Sequence, residues 1–203
     1  MWMIMAMDST MAIFNACITV LDYETTGSVR GFPTEPWQIG MVTLKNGKVD
    51  PDSMFESWLK IDPERPFNPH APGRHAQLRG ELAEAPTPQE LWPSVKKRLT
   101  DFPLCAHNIG TEKKFTRLMA PMHPFGIWID TLRIARKAWP GCTSYALEDL
   151  IVLLGLKQKV DVLCTGKEAH DALYDAVASA RLLEYLLEQP GWSNLTVGEL
   201  AAL

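Results

Sequence analysis

Paired cysteines are missing from this chain. Its 203 residues include only Cys17, Cys105, Cys142 and Cys164, far apart and without a CxxC spacing. That excludes a disulfide scaffold and gives no sign of a thiolate zinc site or a redox dithiol. Positive charge is also short: 20 Lys+Arg against 24 Asp+Glu leave a net −4, which argues against coating a polyanion by bulk cationic attraction. No apolar run approaches the ~18 residues of a membrane-spanning helix. The opening MWMIMAMDSTMAIF is apolar, but it lacks a basic n-region and is broken by Asp8, Ser9 and Thr10, so it does not read as a signal peptide. Free thiols without a secretion signal lead us to expect a cytoplasmic protein with no membrane association. Internal repeats and low-complexity segments are absent too.

What is present suffices for one ordinary core: 46% hydrophobic and 22% charged residues match a single globular domain. We expect that domain over residues 15–190. Residues 1–14 form an extension, dispensable or added to a sheet edge, and 191–203 hold a short terminal helix.

Ala16 to Leu21 is a short β-rich apolar run, the pattern of a buried strand. Trp37 to Leu44 is a second run, and Asn46-Gly47 after it signals a hairpin into a third strand over about Val49 to Ile61. Residues 62–86, rich in Pro, Gly and His, read as a long loop with at most a turn of helix. Thr87-Pro88-Gln89-Glu90 is a capping box that opens a helix to about Leu99. Short strands follow at Pro103–Ala106 and Trp128–Asp130. Helices are expected at about 111–119, 131–138, 144–155 and 171–187, with a capping box at Thr196-Val197-Gly198-Glu199. Three antiparallel-type strands followed by strands alternating with helices imply an α/β fold, a mixed central β-sheet flanked by helices.

Asp22 and Glu24 end the first strand two residues apart, so both point to one face of the pleat. Two acids on one face repel unless a cation joins them or one is protonated. Near the far end of the chain, His170 stands at the start of the last long helix and Asp175 inside it. Asp175 shares its face with the small residues Ala172 and Ser179, which leaves room beside the helix. Glu112 precedes Phe115 by three residues and Thr116 by four, so it lies above inward-facing positions near a helix start. Asp130, before Thr131 and an apolar helix, reads as an N-cap.

These segments resemble the motifs of the DEDD (DEDDh) 3′–5′ exonuclease superfamily, the DnaQ-like group that contains the proofreading epsilon subunit. LDYETTG with WQIGMV is similar to motif I, CAHNIGTEKKF at 105–115 to motif II, and HDALYDA at 170–176 to motif III. DTLRIARK at 130–137 with Pro140-Gly141 is similar to a helix typical of the group. The likeness runs over roughly residues 16–188, in order.

The resemblance implies a ribonuclease H-like fold and hydrolysis from the 3′ end of DNA, releasing nucleoside 5′-monophosphates. It further implies that Asp22, Glu24, Glu112 and Asp175 bind two divalent cations, Mg²⁺ or Mn²⁺, with Asp22 bridging and His170 as general base. Such cations prefer carboxylate oxygens, and a pair of them stabilises both the entering and the leaving oxygen. Glu112 departs from the pattern, which carries Asp there. Thr26 and Asn108 belong to matched motifs and are expected to hold the terminal nucleotide.

Lys113, Lys114, Arg117, Arg133, Arg136 and Lys137 read either as phosphate contacts or as solvated helix faces. Trp37 reads as a stacking platform or as core. The expected partner is a nucleic-acid 3′ end, single-stranded DNA first. A free-standing enzyme is favoured over a polymerase subunit because little follows residue 190. An exoribonuclease of the same superfamily and a catalytically degraded nucleic-acid-binding domain are the rival readings.

Overall fold

A computed structural model describes residues 9–203 of the chain. Five strands form one sheet in the order β3-β2-β1-β4-β5. β1 (Cys17–Thr25) pairs antiparallel with β2 (Pro36–Lys45), and β2 pairs antiparallel with β3 (Lys48–Trp58). β4 (Leu104–Ala106) and β5 (Trp128–Asp130) run parallel to β1. The mixed α/β sheet expected from the sequence is therefore present. At the β2–β3 turn Asn46 and Gly47 have φ of 52° and 71°, the two positive values a tight two-residue hairpin requires. Pro51 is accommodated because β3 is an edge strand with a register shift beside it.

The eight helices among the described residues are α1 (Arg79–Glu84), α2 (Pro88–Thr100), α3 (Gly110–Met119), α4 (Thr131–Ala138), α5 (Leu147–Leu153), α6 (Lys157–Leu163), α7 (Ala172–Leu187) and α8 (Val197–Ala201). Strand alternation divides them. Ile18, Val20, Val42 and Leu44 face the layer that contains α4, α5, α7 and α8. Leu21, Tyr23, Ile39 and Met41 face α2 and α3 through Leu91, Val95, Leu99, Phe115 and Met119. Thr87, Asp130 and Thr196 cap their helices as expected, and the Thr87 and Thr196 capping boxes are complete.

Three boundaries differ from expectation. The 62–86 loop contains α1, held by the single buried residue Leu82. The helix expected at 144–155 is reduced to Leu147–Leu153, since Ala146 is still extended. α6 was not expected: it buries only Val160, so it carries almost no apolar period to read. Of the 1–14 extension, residues 1–8 lie outside the described residues. Residues 9–13 run along the C-terminal segment, with Ile13 N–H on Leu195 C=O at 2.9 Å and Val197 N–H on Met11 C=O at 2.9 Å. Ile13 is fully buried in the same core as Val197 and Leu200. No helix among the described residues is long and apolar enough to cross a membrane.

Candidate functional site: a carboxylate–histidine cluster beside helix α7

β1 is the middle strand, and its carboxyl end is where the acids gather. Alternation sends Tyr23 into the α3 side, edge-on to Phe115 with ring centroids 5.8 Å apart. Asp22 and Glu24 therefore face α7. In the β1–β2 register Asp22 lies opposite Gly40 and Glu24 opposite Gln38. A β-carbon at Gly40 would overlap the backbone of Ala172 and Leu173, so glycine is what lets the first turn of α7 rest directly on the sheet. Gln38 is fully buried and accepts the Ala172 N–H at 3.1 Å. Helix and strand are thus joined next to Glu24.

The turn before α7 is fixed in several ways. Asp171 is the N-cap, its Oδ1 accepting from Leu173 N–H at 3.1 Å and Tyr174 N–H at 3.4 Å. Lys167 Nζ bridges Asp171 (3.0 Å) and Glu56 on β3 (2.6 Å). His170 sits in the left-handed region with φ 68°, where a non-glycine residue is strained. Its N–H donates to Asp175 Oδ2 at 3.0 Å, which holds it there. The imidazole is half-exposed, with Nε2 3.9 Å from Glu148 Oε2. It opens into a cavity of about 590 Å³ between Arg74, Glu148, Ile151 and Tyr174.

Glu24, His170 and Asp175 present donor atoms that all lie within 4.8 Å of one another. Asp22 and Glu112 stand outside this group of three, though the charges of Asp175, Glu112 and Glu24 act on Asp22. Glu112 occupies the first turn of α3 and is only 3% exposed. Its Oε2 has no hydrogen-bond partner. A buried carboxylate oxygen left unpaired is costly; a divalent cation is one partner that would remove that cost. The donor set of carboxylates with one imidazole fits such an ion.

Burial dominates the electrostatics. It raises the Asp22 carboxyl well above the usual carboxylate range, with Asp175, Glu112 and Glu24 adding repulsion. Burial lifts Glu24 to about 8, reinforced by Asp175 and Asp171. Glu112 also reaches about 8 through burial, opposed by its own backbone N–H. Asp175 rises only to about 6, because the His170 N–H favours its ionised form.

Carboxyls raised in this way bind more protons in the folded chain than in the unfolded one, so stability falls as pH rises from the unfolded values through the folded ones. For Glu24 and Glu112 that window runs from 4.5 to about 8. Calorimetry in chelator should accordingly show Tm falling between about pH 5 and pH 8, and added Mn²⁺ should recover most of the loss at the upper end. A Tm that climbs across this window would contradict the assignment.

The remaining residues expected at the site fall differently. Thr26 is fully buried, and its hydroxyl accepts from Glu35 N–H at 3.1 Å and from Arg65 Nη2 at 3.4 Å. It therefore anchors the loop after β1 and presents nothing to a ligand. Trp37 is core: 1% exposed, stacked on Trp58 and bonded through Nε1 to Thr25 C=O. Asn108 is exposed, with φ 70° and its N–H on Asp130 Oδ1 at 3.0 Å.

Gln38, Lys167, Asp171 and Arg65 were not singled out from the sequence. Gln38 left a readable trace as a polar residue inside an apolar strand. Arg65 left none: its guanidinium, 5% exposed, ties Glu35, Pro66 and Pro33 across two loops.

Comparison with known proteins places the chain in a family. Residues 19–183 match the family model RNase_T, described as Exonuclease. Exodeoxyribonuclease 10 of Escherichia coli K12 is 29% identical over 178 residues, covering 87% of this chain and 71% of the relative. Ribonuclease T of Haemophilus influenzae Rd is 28% identical over 171 residues, covering 74% and 70%. Among solved structures, exonuclease X in complex with 5′-overhanging duplex DNA superposes with a TM-score of 0.66 at 26% identity, covering 91% of this chain and 99% of the other. The nuclease domain of 3′hExo, a DEDDh family member, gives a TM-score of 0.68 at 17% identity and shares the fold. The chain belongs to the RNase T exonuclease family, a DEDDh-type group of nucleic-acid hydrolases that use divalent metal ions.

Proposed function

We propose that this protein is a 3′–5′ exonuclease that removes nucleoside 5′-monophosphates from DNA ends, with single strands preferred. The observation that carries the reading is the convergence of Glu24, His170 and Asp175, the last two lining the cavity, with two more carboxyls, the half-buried Asp22 and the buried Glu112, electrostatically tied to them. DNA is the first choice because the exodeoxyribonuclease relative covers more of the chain than the ribonuclease relative. RNA is the second, supported by that ribonuclease likeness. A reducing cytoplasm suits the four free thiols.

On this reading Asp22, Glu24, Glu112 and Asp175 hold two divalent cations, Mg²⁺ or Mn²⁺. Bound there, these would supply positive charge to the entering and the leaving oxygen. His170 accepts the proton of the attacking water at its ring nitrogen, a task suited to an imidazole at neutral pH. The water oxygen bonds to phosphorus as the bond to the 3′ oxygen of the preceding nucleotide breaks. That oxygen takes a proton from solvent and becomes the new 3′ hydroxyl. Asp175, by holding the His170 N–H, keeps the base in place. Glu112 reaches one bond further than an Asp would, and the start of α3 sets how far its oxygens project.

The test is incubation of 5′-labelled single-stranded DNA, duplex DNA and RNA with Mg²⁺ or Mn²⁺. The wild type should shorten DNA from the 3′ end, and His170→Ala should be slower by about 10²–10⁴-fold. The reading fails if no substrate is shortened, or if His170→Ala keeps wild-type turnover. Faster trimming of RNA than of DNA would transfer the assignment to the ribonuclease reading.

A further inference from the structure

Two concavities differ in charge: one lined by His170 and Asp175, the other by Asn108 of the second matched motif and Arg136. In the cavity beside His170 every cation is answered by an acid: Arg74 by Asp171 at 3.6 Å, Lys157 by Asp161 at 2.8 Å, and Lys167 by Glu56 and Asp171. That cavity offers a polyanion little. The second is an open groove of about 430 Å³ that begins at Asn108 and runs between α4 and residues 143–146. Its cation, Arg136, is exposed and has no carboxylate partner among the described residues, and neither have Arg133 and Lys137 on the same helix.

The walls of this groove are fastened to each other. His107 spans them, its Nε2 3.0 Å or less from the Tyr145 carbonyl (2.9 Å) and its Nδ1 3.0 Å from Thr131 Oγ1. Burial lowers the pKa of His107, so the neutral ring donates from Nε2 to that carbonyl. Tyr145 in turn donates its hydroxyl to Trp139 C=O at 2.8 Å and accepts from Gly141 N–H. The Arg136 guanidinium lies 5.8 Å from the Tyr145 ring centroid, an aromatic contact that limits where it can swing. The groove is thus a rigid slot with an unneutralised cation on its wall. Its end at Asn108 is tied toward the expected site through Asp130, which accepts the Asn108 N–H at 3.0 Å and whose charge acts on Glu112.

We propose that this groove carries the sugar–phosphate backbone of the strand upstream of the scissile bond, with Arg136 paired to a phosphate. The proposal rests on the exonuclease reading and assigns its strand-binding surface. The contact is to phosphate alone, so it adds grip without sequence preference. It also gives a chain of net charge −4 a local cationic face for a polyanion: Arg133, Arg136 and Lys137 of α4 have no carboxylate partner among the described residues.

The test is equilibrium binding of a fluorescent single strand of roughly twelve nucleotides, set against a trinucleotide, across a series of salt concentrations. Arg136→Ala should weaken binding of the longer strand roughly tenfold at low salt. It should also flatten the plot of log K against log salt by about 0.7, the loss of one phosphate contact to a single strand. Arg136→Lys should restore most of the slope, and Lys159→Ala, which removes the same charge elsewhere, should leave it unchanged. An unaltered slope in Arg136→Ala, or equal weakening for both lengths, would overturn the groove assignment. Turnover is read separately. Shortening without an Arg136-dependent slope removes the groove and leaves the exonuclease reading. An Arg136-dependent slope without shortening keeps the groove and removes the enzyme.

Discussion

Asp22→Asn is expected to reduce turnover by about 10³-fold or more while making the metal-free protein more stable. Both effects come from one placement. Asp22 ends the central strand, half-buried, with the charges of Asp175, Glu112, Glu24 and Asp171 all raising its pKa. An amide of the same shape keeps the packing and removes the charge that burial and four neighbours oppose. Relieving such repulsion is worth on the order of 1–2 kcal/mol, and in a domain of this size each kcal/mol moves Tm by about 2–4 °C.

The gain depends on pH in a defined direction. At low pH the folded protein already holds Asp22 protonated, so Asn changes little. As pH rises through the raised pKa, the wild type loses stability that the variant keeps. The loss of turnover follows because an amide is a poor ligand for a hard cation and leaves the charge developing on the entering and leaving oxygens unbalanced. Scanning calorimetry in chelator at about pH 5 and pH 8, beside a turnover assay with Mn²⁺, checks both halves. Turnover within tenfold of wild type would remove Asp22 from the reaction. A Tm equal to or below wild type at the higher pH would show that the carboxylates do not strain the apo fold.

The sequence displayed the parts of the site that alternation and helical period encode. Asp22 and Glu24 on one pleat face, Glu112 above Phe115, and Asp130 as a cap all follow from spacings of two, three and four residues. The antiparallel half of the sheet was equally legible, because β1 and β2 are continuous apolar runs and an Asn-Gly turn joins β2 to β3. What it hid are contacts between residues far apart in the chain. Thr26 reads as a ligand contact because it belongs to a matched motif, yet Arg65, in a loop without periodicity, draws its hydroxyl into the fold. Lys167 carries no signal in the sequence; only the fold of β3 brings Glu56 to it. α6 escaped notice because one buried valine sets no rhythm.

Gly40→Ala is expected to be the most damaging single methyl in the chain. Its backbone is not in the left-handed region, so the cost is one of space alone. The added β-carbon would run into Ala172 and Leu173 backbone atoms, and unlike a side chain these cannot rotate away. α7 would have to lift from β2, and its first turn carries the Asp171 cap, the strained His170 and Asp175. Overpacking of this kind costs about 1–3 kcal/mol or more, a fall in Tm of roughly 2–12 °C or more. Turnover should fall further than stability alone would dictate, because a shift of about 1 Å in a catalytic group can cost about 10²-fold. Gly80→Ala is the matched control: it lies inside α1 with nothing within 4 Å of an added β-carbon. There the methyl should stabilise slightly, by about 0.5–1 kcal/mol. Thermal melts and turnover on the two variants separate the effects. If Gly40→Ala melts and turns over like wild type, α7 does not rest on β2 as described, and the contact that brings Asp175 to Asp22 is lost with it.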